Sequence, residues 1–206
     1  MGVTGILLCG FLVAHLAGNL LLYVGADAYN DYAAALHKQE WLIKIAEAGL
    51  ITLFGAHVYL AFTTTKMNRR ARRVAYSMKE TKRKIPAIPG GANSWMFATG
   101  AVVLGFVIWH LLDFTIEGRN LEYDGKTPFE KALMLLRNPV SAVIYVIGCV
   151  ALGIHLSHGI QSAFQSLGLN HPRYTKLISL GGMVAAWVLA GGFLSFVLWG
   201  FLFSSS

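Results

Sequence analysis

Apolar residues run along this chain in five long blocks separated by short polar stretches. Asp, Glu, Lys and Arg are absent from residues 1–26, 48–65, 85–112, 138–172 and 177–206. Each window is long enough for the roughly 20 residues that carry an α-helix across the hydrocarbon core of a bilayer. The third opens on IPAIPGGANS, whose prolines and glycines are turn chemistry, so its helix begins at Trp95. The pattern predicts an all-α membrane protein with five transmembrane helices, at about 3–24, 41–66, 95–117, 138–166 and 177–203. The first four form an antiparallel four-helix bundle. No low-complexity tract and no convincing short repeat interrupts the pattern, so residues 1–206 read as one transmembrane domain.

Composition agrees with this class. Hydrophobic residues make up 55% of the chain, charged ones 13%, and the mean hydropathy is +0.55, which excludes an ordinary soluble domain. The net charge of +7 is concentrated, with nine of seventeen Lys and Arg residues in KMNRRARRVAYSMKETKRK at 66–84. Short loops rich in these residues stay cytoplasmic. That places the amino terminus and loops 67–94 and 167–176 inside, and loops 25–40 and 118–137 and the carboxyl terminus outside, in a multi-pass protein of the cell's inner (cytoplasmic) membrane. The basic loop also suits anionic lipid headgroups or an acidic cytosolic partner. A nucleic-acid partner is disfavoured, because the excess charge abuts the membrane and no binding motif accompanies it.

Ala26-Asp27-Ala28 resembles a signal-peptide cleavage site. The first segment nevertheless lacks a basic start and its apolar run is too long, so it is expected to remain as a span. Cys9 and Cys149 fall inside predicted spans at a separation that matches neither a disulfide framework nor a metal site, and read as packing residues.

Histidine carries the candidate chemistry. His15, His57, His110 and the pair His155 and His158 fall in the first four helices, none falls in the fifth, and His37 and His171 fall in loops. One intramembrane imidazole is commonly satisfied by a neighbouring helix, but four helices that each carry one ask for a shared cause. By their distances from the helix ends, His15 and His110 lie in the outer half and His57 and His155 nearer the inner side. Two pairs at two depths, drawn from different helices, are what two bis-histidine haems need. Gly18, Gly55, Gly105, Gly148 and Gly153 lie near these histidines and would leave room for a flat macrocycle. Spacing leaves the choice between His155 and His158 open, since i and i+3 share a helix face.

Position also selects Lys66, Arg69, Arg70, Ser94, Trp95 and His158 as partners for inner haem propionates. His158, Gln161 and Ser162 are inner quinone candidates, and Asn30, Asp31, His37 and Glu40 outer ones. Asp113 and Glu47 are carboxylates near membrane depth, available for proton relay. Asp113 is expected at the interface with a polar partner, four residues from Glu117.

The motifs AHLAGNLLLYVGADAYNDYAAAL, HVYLAFTTTKMNRRARRVAY, WHLLDFT and HLSHGIQSAFQSLGLNHPRY, spread over nearly the whole chain, resemble the single-chain, di-haem cytochrome b subunit of succinate:quinone oxidoreductases and fumarate reductases. The resemblance implies a non-catalytic electron-transfer anchor with two haem b groups and a quinone, commonly menaquinone. It also implies an iron–sulfur subunit docked on the cytoplasmic face, with a flavoprotein beyond it that oxidises succinate, and leaves open a higher oligomer of the complex. The family pattern favours His155, the first histidine of HLSHG, as the fourth ligand. Chains of this family usually carry residues ahead of the first helix, whereas here Met1 almost begins the span. Other readings of the histidines are a di-haem cytochrome b of another redox complex, of the hydrogenase or ascorbate type, and a haem-free, proton-coupled transporter.

Overall fold

A computed structural model describes residues 1–71, 92–116, 123–169 and 171–203; most of the basic loop therefore lies outside the described residues. The described residues form eight helices: α1 (Gly2–Asn19), α2 (Leu21–Val24), α3 (Ala26–His37), α4 (Glu40–Ala71), α5 (Ala92–Phe114), α6 (Pro128–Arg137), α7 (Pro139–Ser166) and α8 (Pro172–Phe203). No strand occurs among the described residues. Among the described residues five segments are long and apolar enough to cross a membrane: Gly2–Val24, Glu40–Ala71, Trp95–Phe114, Pro139–Ser166 and Pro172–Leu202. The protein is thus an all-α membrane protein with five candidate spans.

Two of the expected connections are helical. Residues 26–37, expected as loop, form α3 after a sharp turn at Gly25, whose φ of 129° suits glycine. Residues 128–137 form α6, started by a capping box. Thr127 Oγ1 accepts from the Glu130 backbone N–H (3.3 Å), and a Glu130 carboxylate oxygen accepts from the Thr127 N–H (2.8 Å). Asn138 then caps α7 by accepting from the Val140 and Ser141 N–H groups, with Pro139 in the first turn where no donor is lost. The Asn30 side-chain oxygen accepts from the Phe129 N–H (3.1 Å) and ties α3 to α6.

The centre of the molecule is α7. It packs along α8 most extensively, then against α5 and α1, and it buries a face of mostly small residues including Ser141, Ala142, Gly148, Cys149, Ala151, Gly153 and Ala163. Small side chains let helix backbones approach where lipid gives no hydrophobic drive to associate. Gly148 takes the Phe106 ring of α5, Gly153 takes Trp187 and Ala190 of α8, and Gly18 takes the Tyr32 ring of α3. These three glycines therefore serve packing between elements. Gly55 and Gly105 border open space, but at two and five residues from His57 and His110 they lie well round the helix from those rings. Cys9 and Cys149 are free thiols within the packing.

The α4 helix is different. It has 32 residues and buries none of them. Its contacts are with α1, with α3 and, through Phe62 against Phe97, with α5.

The exposed Glu130 carboxyl is held below its ordinary pKa, first by the Thr127 backbone N–H and then by the Thr127 hydroxyl, both donating to it. A lowered folded-state pKa contributes stability that is complete above the ordinary carboxylate value and is lost as pH falls through the lowered one. The protection of the first-turn amides of α6, measured as exchange relative to the intrinsic rate at each pH, is expected to fall over that acidic range, and Glu130→Ala is expected to show the lowered protection already at neutral pH.

Candidate functional site

The four span histidines meet in two tiers. In the tier farther from Lys66, the rings of His15 (α1) and His110 (α5) have centroids 5.8 Å apart and planes at 77°. Phe11 stacks on His15 at 5.4 Å, Phe193 of α8 lies 5.6 Å from it, and Phe106 and Phe114 flank His110 at 6.0 and 5.0 Å. In the tier nearer Lys66 lie His57 (α4) and His155 (α7), with the charge of His57 felt at His155. A methyl group on Gly5 of α1 would lie 3.6 Å from His57 Cε1, and one on Gly100 of α5 would lie 3.2 Å from His155 Cε1.

Three of the four imidazoles have Nδ1 facing a hydroxyl whose own proton is committed elsewhere. Thr4 donates to the Met1 carbonyl (2.9 Å) and stands 3.0 Å from His57 Nδ1. Thr99 donates to the Trp95 carbonyl (2.9 Å) and stands 3.3 Å from His155 Nδ1. Tyr145 donates to Asp113 Oδ2 (3.0 Å) and stands 3.3 Å from His110 Nδ1. A hydroxyl has one proton, so each of these oxygens is left to accept from Nδ1–H. That tautomer leaves the Nε2 lone pair free on His57 and His110, while the His155 ring also hydrogen-bonds the Met96 backbone. A hydrogen-bonded Nδ1–H with an open Nε2 is the arrangement of a metal-ligating histidine. His15 is set differently: the Asn19 side-chain nitrogen is 3.5 Å from both ring nitrogens and donates to the His15 carbonyl at 2.8 Å.

The helices carrying these groups share a spacing. Thr4-Gly5 precedes His15 on α1 as Thr99-Gly100 precedes His110 on α5, eleven residues from threonine to histidine in both. Eleven residues are three turns, which puts threonine and histidine on one face about 16 Å apart. Each of these helices thus offers a small cradle to a neighbour's histidine in one tier and its own histidine in the other. Sequence reasoning passed over Thr4, Gly5, Thr99 and Gly100; the repeated Thr-Gly and its common distance to a histidine are the signal that finds them.

The remaining candidates are scattered. Lys66, Arg69 and Arg70 come together with Phe62, Thr65 and Phe97 on a cleft of about 370 Å³ between α4 and α5, where the Arg69 guanidinium lies 6.0 Å from the centre of the Phe97 ring. Trp95 is exposed near this end, and the Ser94 side chain lies outside the described residues. His158 is buried on α7, with Gln161 partly buried beyond it and Ser162 exposed. Asn30 already serves α6; Asp31 and His37 are exposed, and Glu40 pairs with Lys44 at 2.6 Å. Glu47 is exposed on α4. Asp113, one turn beyond His110 and next to the end of α5, has the polar partner expected of it: Tyr145 of α7 donates to it and, with the helix packing, leaves it 1% exposed.

Among the described residues no group of three or more His, Cys, Asp and Glu side chains could hold a metal ion by itself. Each tier offers two imidazoles, so a metal held there needs its other donors from a non-protein ligand. Two imidazoles on opposite sides of one metal, at about 2 Å each, have ring centres about 6 Å apart, and the His15–His110 separation of 5.8 Å suits that spacing. The donor set therefore fits a haem. Comparison with family models, curated proteins and solved structures finds no match to this chain.

Asp113→Ala removes the acceptor of the buried Tyr145 hydroxyl and is expected to lower stability by about 1–3 kcal/mol. Asp31→Ala, on an exposed face, is expected to stay within about 0.5 kcal/mol. Unfolding in mixed detergent micelles measures both.

Proposed function

We propose that this chain is the di-haem cytochrome b membrane anchor of a succinate:quinone oxidoreductase. In this role it passes electrons between an iron–sulfur partner and membrane quinone, menaquinone being the expected acceptor. One observation carries the reading: the His15 and His110 rings of two helices meet with centroids 5.8 Å apart, while His57 and His155 of two others lie at a second level, each with Nδ1 beside a threonine hydroxyl. The motif resemblance supplies the choice of complex. The haem irons, when bound, supply one-electron chemistry at two depths between the membrane faces.

The chain's own residues then have distinct tasks. His57 and His155 hold one haem and His15 and His110 the other. Thr4 and Thr99 fix the rings of the near pair by accepting their Nδ1 protons, while Gly5 and Gly100 let those rings approach. Lys66, Arg69 and Arg70 line a cationic cleft suited to carboxylates at the near end. His158 and Gln161 follow His155 along α7 and are the near-side quinone candidates. The basic bias of residues 66–84 turns this end toward the cytoplasm, where the iron–sulfur and flavoprotein subunits dock.

The protein purified from its native membrane is expected to hold two haems per chain with a low-spin bis-imidazole visible spectrum, and to copurify with a flavoprotein and an iron–sulfur subunit. His57→Ala and His155→Ala should each remove one haem and leave the other, and His15→Ala and His110→Ala the reverse. A native complex without haem would refute the reading, and haem loss in His158→Ala but not in His155→Ala would change the ligand assignment. Thr4→Val and Thr99→Val replace a hydroxyl by a methyl of similar size, and each is expected to weaken retention of the near haem about 10-fold. Pyridine haemochrome assay of the detergent-washed protein measures that loss.

A further inference from the structure

The two tiers differ in the groups that face their rings. Around His110 the structure places a chain of three groups: His110 Nδ1, the Tyr145 hydroxyl 3.3 Å away, and Asp113 Oδ2 a further 3.0 Å on. Tyr145 is 6% exposed and Asp113 is 1% exposed. His15, the other member of that pair, has only the Asn19 amide near its ring. In the near tier the hydroxyls facing Nδ1 are neutral threonines that end on backbone carbonyls. Among the described residues, only His110 is linked to a carboxylate. A carboxyl group buried this fully in helix packing is costly unless it is hydrogen-bonded.

We propose that Tyr145 and Asp113 are positioning residues for His110 and set the redox poise of the far haem; the inference rests on the haem reading above. Tyr145 donates its proton to Asp113, so its oxygen accepts from His110 Nδ1–H, and the carboxylate beyond strengthens that acceptance. Drawing the Nδ1 proton toward Tyr145 makes Nε2 a stronger electron donor. A stronger donor favours the ferric state, so the chain holds the far centre at a lower potential than a neutral hydroxyl would. It also fixes the plane of the His110 ring, since Tyr145 stands on α7 and Asp113 on α5 and both are locked in packing. Two differently tuned centres follow from one buried acid.

Tyr145→Phe keeps the ring that packs on Phe106 and removes only the hydroxyl; Asp113→Asn keeps the shape and removes the charge. Redox titration of the purified full-length protein in its complex, with the far haem assigned by its absence from His15→Ala, provides the test. Each substitution should keep two haems and shift the far haem about tenfold toward reduction, which is about +59 mV for one electron. Each should also move the low-spin ferric g-values of the far haem and leave the near haem unmoved. Because Asp113 acts through Tyr145, the double variant should match Tyr145→Phe alone. An unmoved far potential and unmoved g-values in both variants would overturn the proposal with two haems still in place. Additive shifts would overturn it too, making Asp113 a charge acting through space. Should Tyr145→Phe shed the far haem, Asp113→Asn carries the same readout. Absence of haem from the unsubstituted protein would instead overturn the reading on which the proposal rests.

Discussion

An imidazole within a membrane-spanning helix has two nitrogens to satisfy where water is scarce, and the arrangement of this bundle follows from how that is done. At His57, His110 and His155 one nitrogen is taken by a hydroxyl whose proton is already given to another oxygen. The direction of each hydrogen bond is then determined, and with it the tautomer. What remains at His57 and His110 is a lone pair on the other nitrogen. Helix order, the close approach at Gly5 and Gly100, and the eleven-residue interval on α1 and α5 all serve this arrangement.

The spans could be read from charge-free windows alone, because the cost of unpaired charge in hydrocarbon leaves a plain trace in composition. The helices outside them could not be read that way. The α3 sequence mixes Asp27, Asn30 and Asp31 with alanines and tyrosines, so its polarity hides it among loop residues. Thr127-Pro128-Phe129-Glu130 did carry a capping signature in front of α6, and that local signal is stronger than the surrounding polarity. The difference between these two cases is instructive: α6 declares its start by side-chain to backbone bonds, whereas α3 is fixed by Gly25 and by Asn30 reaching Phe129.

The pairing of histidines by depth needed only helix direction and a rise per residue. Their supporting groups needed tertiary structure. A threonine one turn into a helix is an ordinary residue until another helix brings a ring to it, and Thr4 and Thr99 gain meaning only from His57 and His155. Asp113 shows the same limit more sharply. Counting residues to Glu117 puts it toward the membrane surface, but burial depends on what packs over it, and Tyr145 comes from a helix 32 residues away in the chain. The glycines near the histidines were the least reliable guides, because most of the space they open is filled by Tyr32, Phe106 and Trp187.

The bare surface of α4 has a consequence for how the molecule is put together. A span of 32 residues with none buried has little cohesion of its own with the remaining helices, while α5, α7 and α8 already interlock. The firmest tie available to it is through His57, so whatever joins His57 to His155 acts as a clasp that closes the barrel of helices. On the di-haem reading proposed above, biogenesis would run in two stages: insertion leaves α4 against α1, and haem joining His57 to His155 latches it.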